Sequence, residues 1–186
     1  MLSVNGARLL ERINELGTIG KDEEGRRTRL AASDTEKQGR DKVVSWMEDA
    51  DLKVVVDRIG NIFGIWETAE NKDKKPLMIG SHIDTVINAG QYDGCLGVIG
   101  AIEVIRTLKE AGRQSERPIV VCAFTNEEGV RYSPDMMGSL VYAGGLPVDQ
   151  VLKTVGTDGT ILGEELKRIG YAGSVEPGFL QPEAFV

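Results

Sequence analysis

The chain holds a single histidine, His82, at the end of an apolar run, with Asp84 two positions further on. If that run is a β-strand, side chains two apart point to the same side, so imidazole and carboxylate leave the strand end together. Neutral imidazole is a metal ligand, and a carboxylate that takes its other ring N–H fixes the tautomer. The pair therefore reads as a ligand, His82, and its support, Asp84. Asp93-Gly94 follows the loop and sets a carboxylate beside a flexible residue where a helical pattern begins. A second apolar, β-branched run ends in Asn126, Glu127 and Glu128. Carboxylates gathered at close range repel one another, so such a cluster calls for a cation. One divalent ion meets that need, and two meet it better, with Asp93 as the bridge at the ~3.5–4 Å spacing of two-metal hydrolases.

Those residues need two strands and a connection to bring them together. From Cys95 the pattern LGVIGAIEVIRTLKEAG is helical, with Leu96, Ile99, Ile102, Val104, Ile105 and Leu108 expected inward and Gly112 as its stop. It links the His82 run to the RPIVVCAF run, a β-helix-β unit of crossover length in a sheet covered on both faces. Open α/β sheets place sites beyond the carboxyl ends of their strands, where His82, Asp93, Glu127 and Glu128 all fall.

Upstream, Asn5 is placed to cap a helix on which Leu9, Leu10, Ile13 and Leu16 recur at helical spacing. Gly20 to Ala32 reads as a charged loop whose Arg26, Arg27 and Arg29 are expected in solvent, contact with an anionic substrate being the alternative. Ser33 and Glu36 form a capping-box signature ahead of a helix burying Val43, Val44, Trp46 and Met47. LKVVVDRIGNIFGIWE reads as a hairpin about Gly60-Asn61, and Lys72 to Lys75 as a polar turn. Downstream, Ser133-Pro134 is expected to start a helix through MMGSLVYAGG, with the proline in its first turn. Val148 to Thr154 and Thr160 to Ile169 are further amphipathic stretches.

At 186 residues, 41% hydrophobic and 27% charged, the chain suits a single soluble domain. Its net charge of −7 argues against nucleic-acid and anionic-membrane partners, which select basic surfaces. No apolar run approaches the ~20 residues of a membrane span, and the N-terminus lacks the basic-then-apolar layout of a signal peptide. A cytoplasmic location is the expectation, and Cys95 and Cys122 fit a reducing compartment. Cys95 near Asp93 suggests a thiol nucleophile, but the histidine it would need is engaged with Asp84, and Cys122 lies in an apolar run suited to the core.

Taken singly, each residue has an ordinary reading: a hydrogen-bonded histidine, an Asp-Gly turn, a solvated Glu-Glu-Gly loop. Their joint placement at the ends of two strand-like runs favours a site.

The segments GSHIDTVINAGQYDGCLGVIGAIEVIRTL and AFTNEEGVRYSPDMMGSLVYAGG resemble the binuclear-metal amidohydrolases of the M20 peptidase superfamily. Within it they are most similar to the branch of N-carbamoyl-L-amino-acid hydrolases, allantoate amidohydrolases and β-ureidopropionases. The resemblance extends more weakly from the first helix to about Tyr171. It implies a three-layer αβα fold of the zinc-exopeptidase kind and hydrolysis of a linear C–N amide or ureido bond in a small molecule. It also implies two divalent ions, Zn²⁺, Mn²⁺ or Co²⁺, and a homodimer. By resemblance His82 binds one ion, Asp93 bridges, Glu128 binds the other, Asp84 supports His82, and Glu127 is the general base.

That family continues into a further histidine-bearing segment, a lid and dimerisation domain, and a final histidine. Residues 1–186 are thus expected to be the N-terminal portion of the catalytic domain, truncated before its last strands and without the lid. Three of the five expected ligands are present, so weak metal binding and little turnover by this chain alone are the expectation. The alternatives are an exopeptidase or deacylase of the same superfamily, and a non-catalytic fragment that self-associates through an open sheet edge.

Overall fold

The computed structural model describes residues 2–182 and 184–185. Helices α1 (Gly6–Leu16) and α2 (Asp34–Asp49) precede the hairpin strands β1 (Lys53–Val56) and β2 (Ile62–Trp66). Strand β3 (Leu77–His82), helix α3 (Cys95–Glu110) and strand β4 (Ile119–Phe124) form the expected crossover unit. Helices α4 (Met137–Tyr142), α5 (Val148–Val151) and α6 (Leu162–Arg168) and strand β5 (Ala184–Phe185) follow. The strands make one mixed sheet in the order β1-β2-β4-β3-β5. β2 is antiparallel to both β1 and β4, while β3 lies parallel to β4 and to β5. The parallel register sets His82 opposite Phe124. Thr125, Asn126, Glu127 and Glu128 therefore begin where β3 delivers its imidazole.

Side-chain alternation along the strands divides the core between two faces. From β4, Ile119, Val121 and Ala123 join Ile13 and Leu16 of α1, Val43 and Met47 of α2, and Ile99 and Ile102 of α3. Val120 and Cys122 face the other way, with Phe63, Ile65, Met78 and Tyr142. There the Phe63 ring lies 5.3 Å from the Tyr142 ring of α4 and 5.1 Å from that of Phe179. The layered α/β arrangement is present, helical on one face and covered mainly by aromatic side chains on the other.

Both predicted caps form: Asn5 Oδ1 accepts from Arg8 N at 3.1 Å, and Ser33 Oγ from Glu36 N at 3.1 Å. The reciprocal half of the capping box does not. Glu36 turns its carboxylate to Ala32 N and to Arg40 Nη2, a buried ion pair at 2.9 Å. On α3, Leu96 (46% exposed) and Val104 (37%) are not inward as expected, because Val98, Ile99, Ile102 and Ile105 fill the buried arc of the helical wheel and these two fall outside it. Leu10 of α1 is exposed as well.

Pro134 does not open α4, which starts at Met137. The preceding residues are held against the turn after β4: Met136 N donates to Glu127 O at 2.7 Å, and Asn126 Nδ2 to Pro134 O at 3.2 Å. Of the three loop arginines only Arg26 is in solvent, paired with Asp22 and Glu24. Arg27 and Arg29 are buried because backbone carbonyls accept their guanidinium protons; Arg27 Nε, for example, donates to Gly17 O at 2.7 Å. Among the described residues no helix is long and apolar enough to cross a membrane.

Candidate metal centre

His82 is buried at the end of β3. Its Nδ1 lies 2.9 Å from the main-chain oxygen of Asp84. A carbonyl only accepts, so this contact puts the proton on Nδ1 and leaves the Nε2 lone pair free to bind a metal. Nε2 faces Glu127 Oε2 at 3.3 Å and Asp93 Oδ1 at 3.6 Å.

The support comes from Asp84 in a different way from that expected. Its carboxylate stands 3.7 Å from Nδ1, beyond hydrogen-bond reach, and its main-chain oxygen takes the ring proton instead. The buried carboxylate reaches across to the turn after β4, where Oδ1 accepts from Glu127 N and Oδ2 from Glu128 N, both at 3.2 Å. Burial, then the nearby Glu36, pushes the Asp84 carboxyl above its usual range, while His82 and the two main-chain N–H groups oppose the shift.

Asp93 is 70% exposed and enters from the loop before α3. Gly94 caps that helix at φ +62°, and a Cβ there would lie 2.5 Å from His82 Nε2, so only glycine lets the two segments approach this closely. Ligand atoms of His82, Asp93 and Glu128 all fall within 4.8 Å of one another. Glu128 Oε1 is buried with no hydrogen-bond partner, and burial raises its carboxyl pKa, with Asp93 and Glu127 adding to the rise and His82 opposing it. Among the described residues no lysine or arginine forms an ion pair with Asp93, Glu127 or Glu128. One imidazole nitrogen and several carboxylate oxygens, one of them an orphan, converge without a protein cation. That donor set fits a divalent metal ion.

The sequence profile of peptidase family M28 matches residues 61–175, more than half of the chain and the whole of this centre. The chain belongs to peptidase family M28. An N-carbamoyl-L-amino-acid amidohydrolase of Rhizobium meliloti is 37% identical over 182 residues, 98% of this chain and 44% of the relative. A probable allantoate deiminase of Oryza sativa subsp. japonica is 43% identical over 84% of this chain and 32% of its own length. The crystal structure of a hydantoinase/carbamoylase family amidase from Burkholderia multivorans superposes with a TM-score of 0.95 at 41% identity, over 99% of this chain and 44% of that one. The M28 chain thus spans less than half the length of the relatives it matches. The matching family carries the M28 label where the sequence resemblance pointed to M20, and the relatives bear the names of the expected carbamoylase branch.

In this M28 chain all five predicted site residues, His82, Asp84, Asp93, Glu127 and Glu128, meet at one place. Three residues that the sequence singles out take roles it does not assign them. Asn126, at φ +52°, turns the chain after β4 and anchors it by donating to Tyr132 O at 2.8 Å. Gly94 serves close approach rather than flexibility. Arg29 is buried within a stretch that reads as solvated, and its one sequence signal is position: Leu30, Ala31 and Ala32 follow it directly.

Proposed function

We propose that the chain carries the metal centre of a hydrolase that cleaves a linear C–N bond in an N-carbamoyl amino acid, allantoate or a similar ureido or amide compound. The observation behind this reading is the convergence of His82, Asp93 and Glu128 around the unpartnered Glu128 oxygen. The substrate class is carried over from the names of the relatives.

His82, Asp93 and Glu128 would hold two divalent ions, Zn²⁺, Mn²⁺ or Co²⁺, His82 Nε2 serving one, Glu128 the other, and the exposed Asp93 both. Such ions, when bound, polarise a carbonyl and make water more acidic. Glu127 is 35% exposed and lies beside the three ligands, which leaves it free to act as the base. It accepts a proton from the attacking water and passes it to the departing nitrogen as the C–N bond breaks. Asp84 holds the backbone of Glu127 and Glu128 in place. Buried, unpaired Cys95 and Cys122 support a reducing, cytoplasmic setting.

A second reading, an exopeptidase or deacylase with the same donors, is favoured by the peptidase label of the matching family. The test is a calorimetric titration of the metal-stripped chain with Zn²⁺ and Mn²⁺, repeated on His82→Ala. Loss of binding in the variant supports the centre, and binding that survives the substitution removes it. The loaded chain is then assayed, concentrated enough to catch slow turnover, on an N-carbamoyl amino acid, allantoate and a dipeptide. Preference for the dipeptide selects the second reading.

A further inference from the structure

We propose that Arg29 is a positioning residue that locks His82 and Asp93 at their working separation. The inference rests on the metal-centre reading and adds a residue to it. The Arg29 side chain is wholly buried, yet among the described residues no carboxylate bonds it. Three carbonyls and a thiol satisfy the guanidinium instead. Nε donates to Ile83 O at 2.8 Å, Nη1 to Ile19 O at 3.0 Å and Leu16 O at 3.3 Å, and Nη2 to Cys95 Sγ at 3.2 Å. The main chain is tied too: Arg29 N donates to Thr85 Oγ1 at 2.8 Å and Thr85 N to Arg29 O at 2.9 Å.

These partners come from three segments. Leu16 ends α1, where the negative end of the helix dipole favours a cation. Ile83 stands between His82 and Asp84, and Cys95 opens α3 just after Asp93-Gly94. One planar fork therefore spans two of the three segments that deliver metal donors, those of His82 and Asp93, and its fixed geometry transmits orientation as a flexible ammonium would not. Holding the Ile83 carbonyl sets the peptide leading to Asp84, whose own oxygen takes the His82 Nδ1 proton. Holding Cys95 keeps the start of α3, and so Gly94, against the imidazole. A buried cation without a carboxylate is expensive, and an apolar side chain of similar volume would fill the space at lower cost. What the apolar side chain would lack is this three-way tie.

Because His82 is the only histidine, a chain labelled with ¹⁵N-histidine gives one imidazole to observe. The variants are Arg29→Lys, which keeps charge but loses the fork, Cys95→Ala, which cuts only the α3 arm, and Cys95→Ser, which restores an acceptor. In the metal-free parent the ring signals report the Nδ1–H tautomer. In Arg29→Lys they move toward a tautomer mixture, and Zn²⁺ affinity falls about 10–100-fold, as for loss of other groups that orient metal ligands. Cys95→Ala, which leaves the Ile83 arm intact, keeps the Nδ1–H tautomer but lowers Zn²⁺ affinity, and Cys95→Ser returns toward the parent. Should Arg29→Lys fail to fold, the Cys95 pair decides. Parent-like Zn²⁺ affinity in Cys95→Ala, and parent-like ring signals and affinity in Arg29→Lys where it folds, overturn the proposal even if the melting temperature drops, and leave Arg29 a packing residue. A parent chain that binds no Zn²⁺ removes the metal-centre reading, while the metal-free ring signals still decide whether Arg29 positions His82.

Discussion

The Asp84 carboxylate and the main-chain N–H of Glu128 face each other at 3.2 Å, joining the end of β3 to the turn after β4. The second carboxylate oxygen makes the same bond to Glu127 N. One buried side chain thus sets the path of the two glutamates while its own carbonyl orients the histidine. Asparagine in its place has one accepting oxygen and would point an N–H at another N–H. Asp84→Asn should weaken Zn²⁺ binding by about 10–100-fold, with Asp84→Ala at least as damaging. A calorimetric titration of the two variants beside the parent checks this, and affinity within about twofold of the parent for Asp84→Asn would remove Asp84 from the centre.

What the sequence makes legible divides along the range of the interactions. The β3–α3–β4 unit is readable because apolar runs and helical spacing are local patterns, and His82, Glu127 and Glu128 stand out because their chemistry sits where such runs stop. The bond from Asp84 to the Glu127-Glu128 turn crosses more than forty residues. Spacing within one segment points Asp84 at its neighbour His82 and says nothing of the turn beside it. The burial of Arg29 is hidden for a related reason. KDEEGRRTRL looks like solvated surface, and only backbone carbonyls at the ends of α1 and β3, brought there by the fold, turn two of its arginines, Arg27 and Arg29, inward.

Gly94 supplies a sharper test of the close approach between α3 and the imidazole. An alanine at its φ of +62° carries backbone strain of roughly 1–2 kcal/mol. Its Cβ would also meet three atoms of the His82 ring at 2.5–2.6 Å. Gly112 has the same φ of +62°, and a Cβ added there would have nothing within 4 Å, so Gly112→Ala carries the strain without the clash. Both variants should melt lower than the parent, and only Gly94→Ala should lose Zn²⁺ affinity. Equal metal binding in the two would mean that the ring can move aside and still serve as a ligand.

Asp57 gives the hairpin a pH-dependent contribution to stability. Its buried carboxylate accepts from Ile59 N, Asn61 N and Asn61 Nδ2, and Asn61 Oδ1 accepts in turn from Thr125 N at the mouth of the site. Burial outweighs those bonds and raises the carboxyl pKa from 3.8 to about 6. Between these values the folded chain keeps the proton that the unfolded chain has lost, so stability from this group is fullest below pH ~4 and declines as pH rises through ~6. The loss amounts to about 3 kcal/mol. Asp57→Asn lacks this titration but loses hydrogen bonds at every pH. Its deficit against the parent in urea unfolding should therefore be largest near pH ~4 and smaller by about 3 kcal/mol at pH ~7. A deficit that grows with pH would show the opposite balance, with the three N–H donors holding the carboxylate ionised more strongly than burial opposes it.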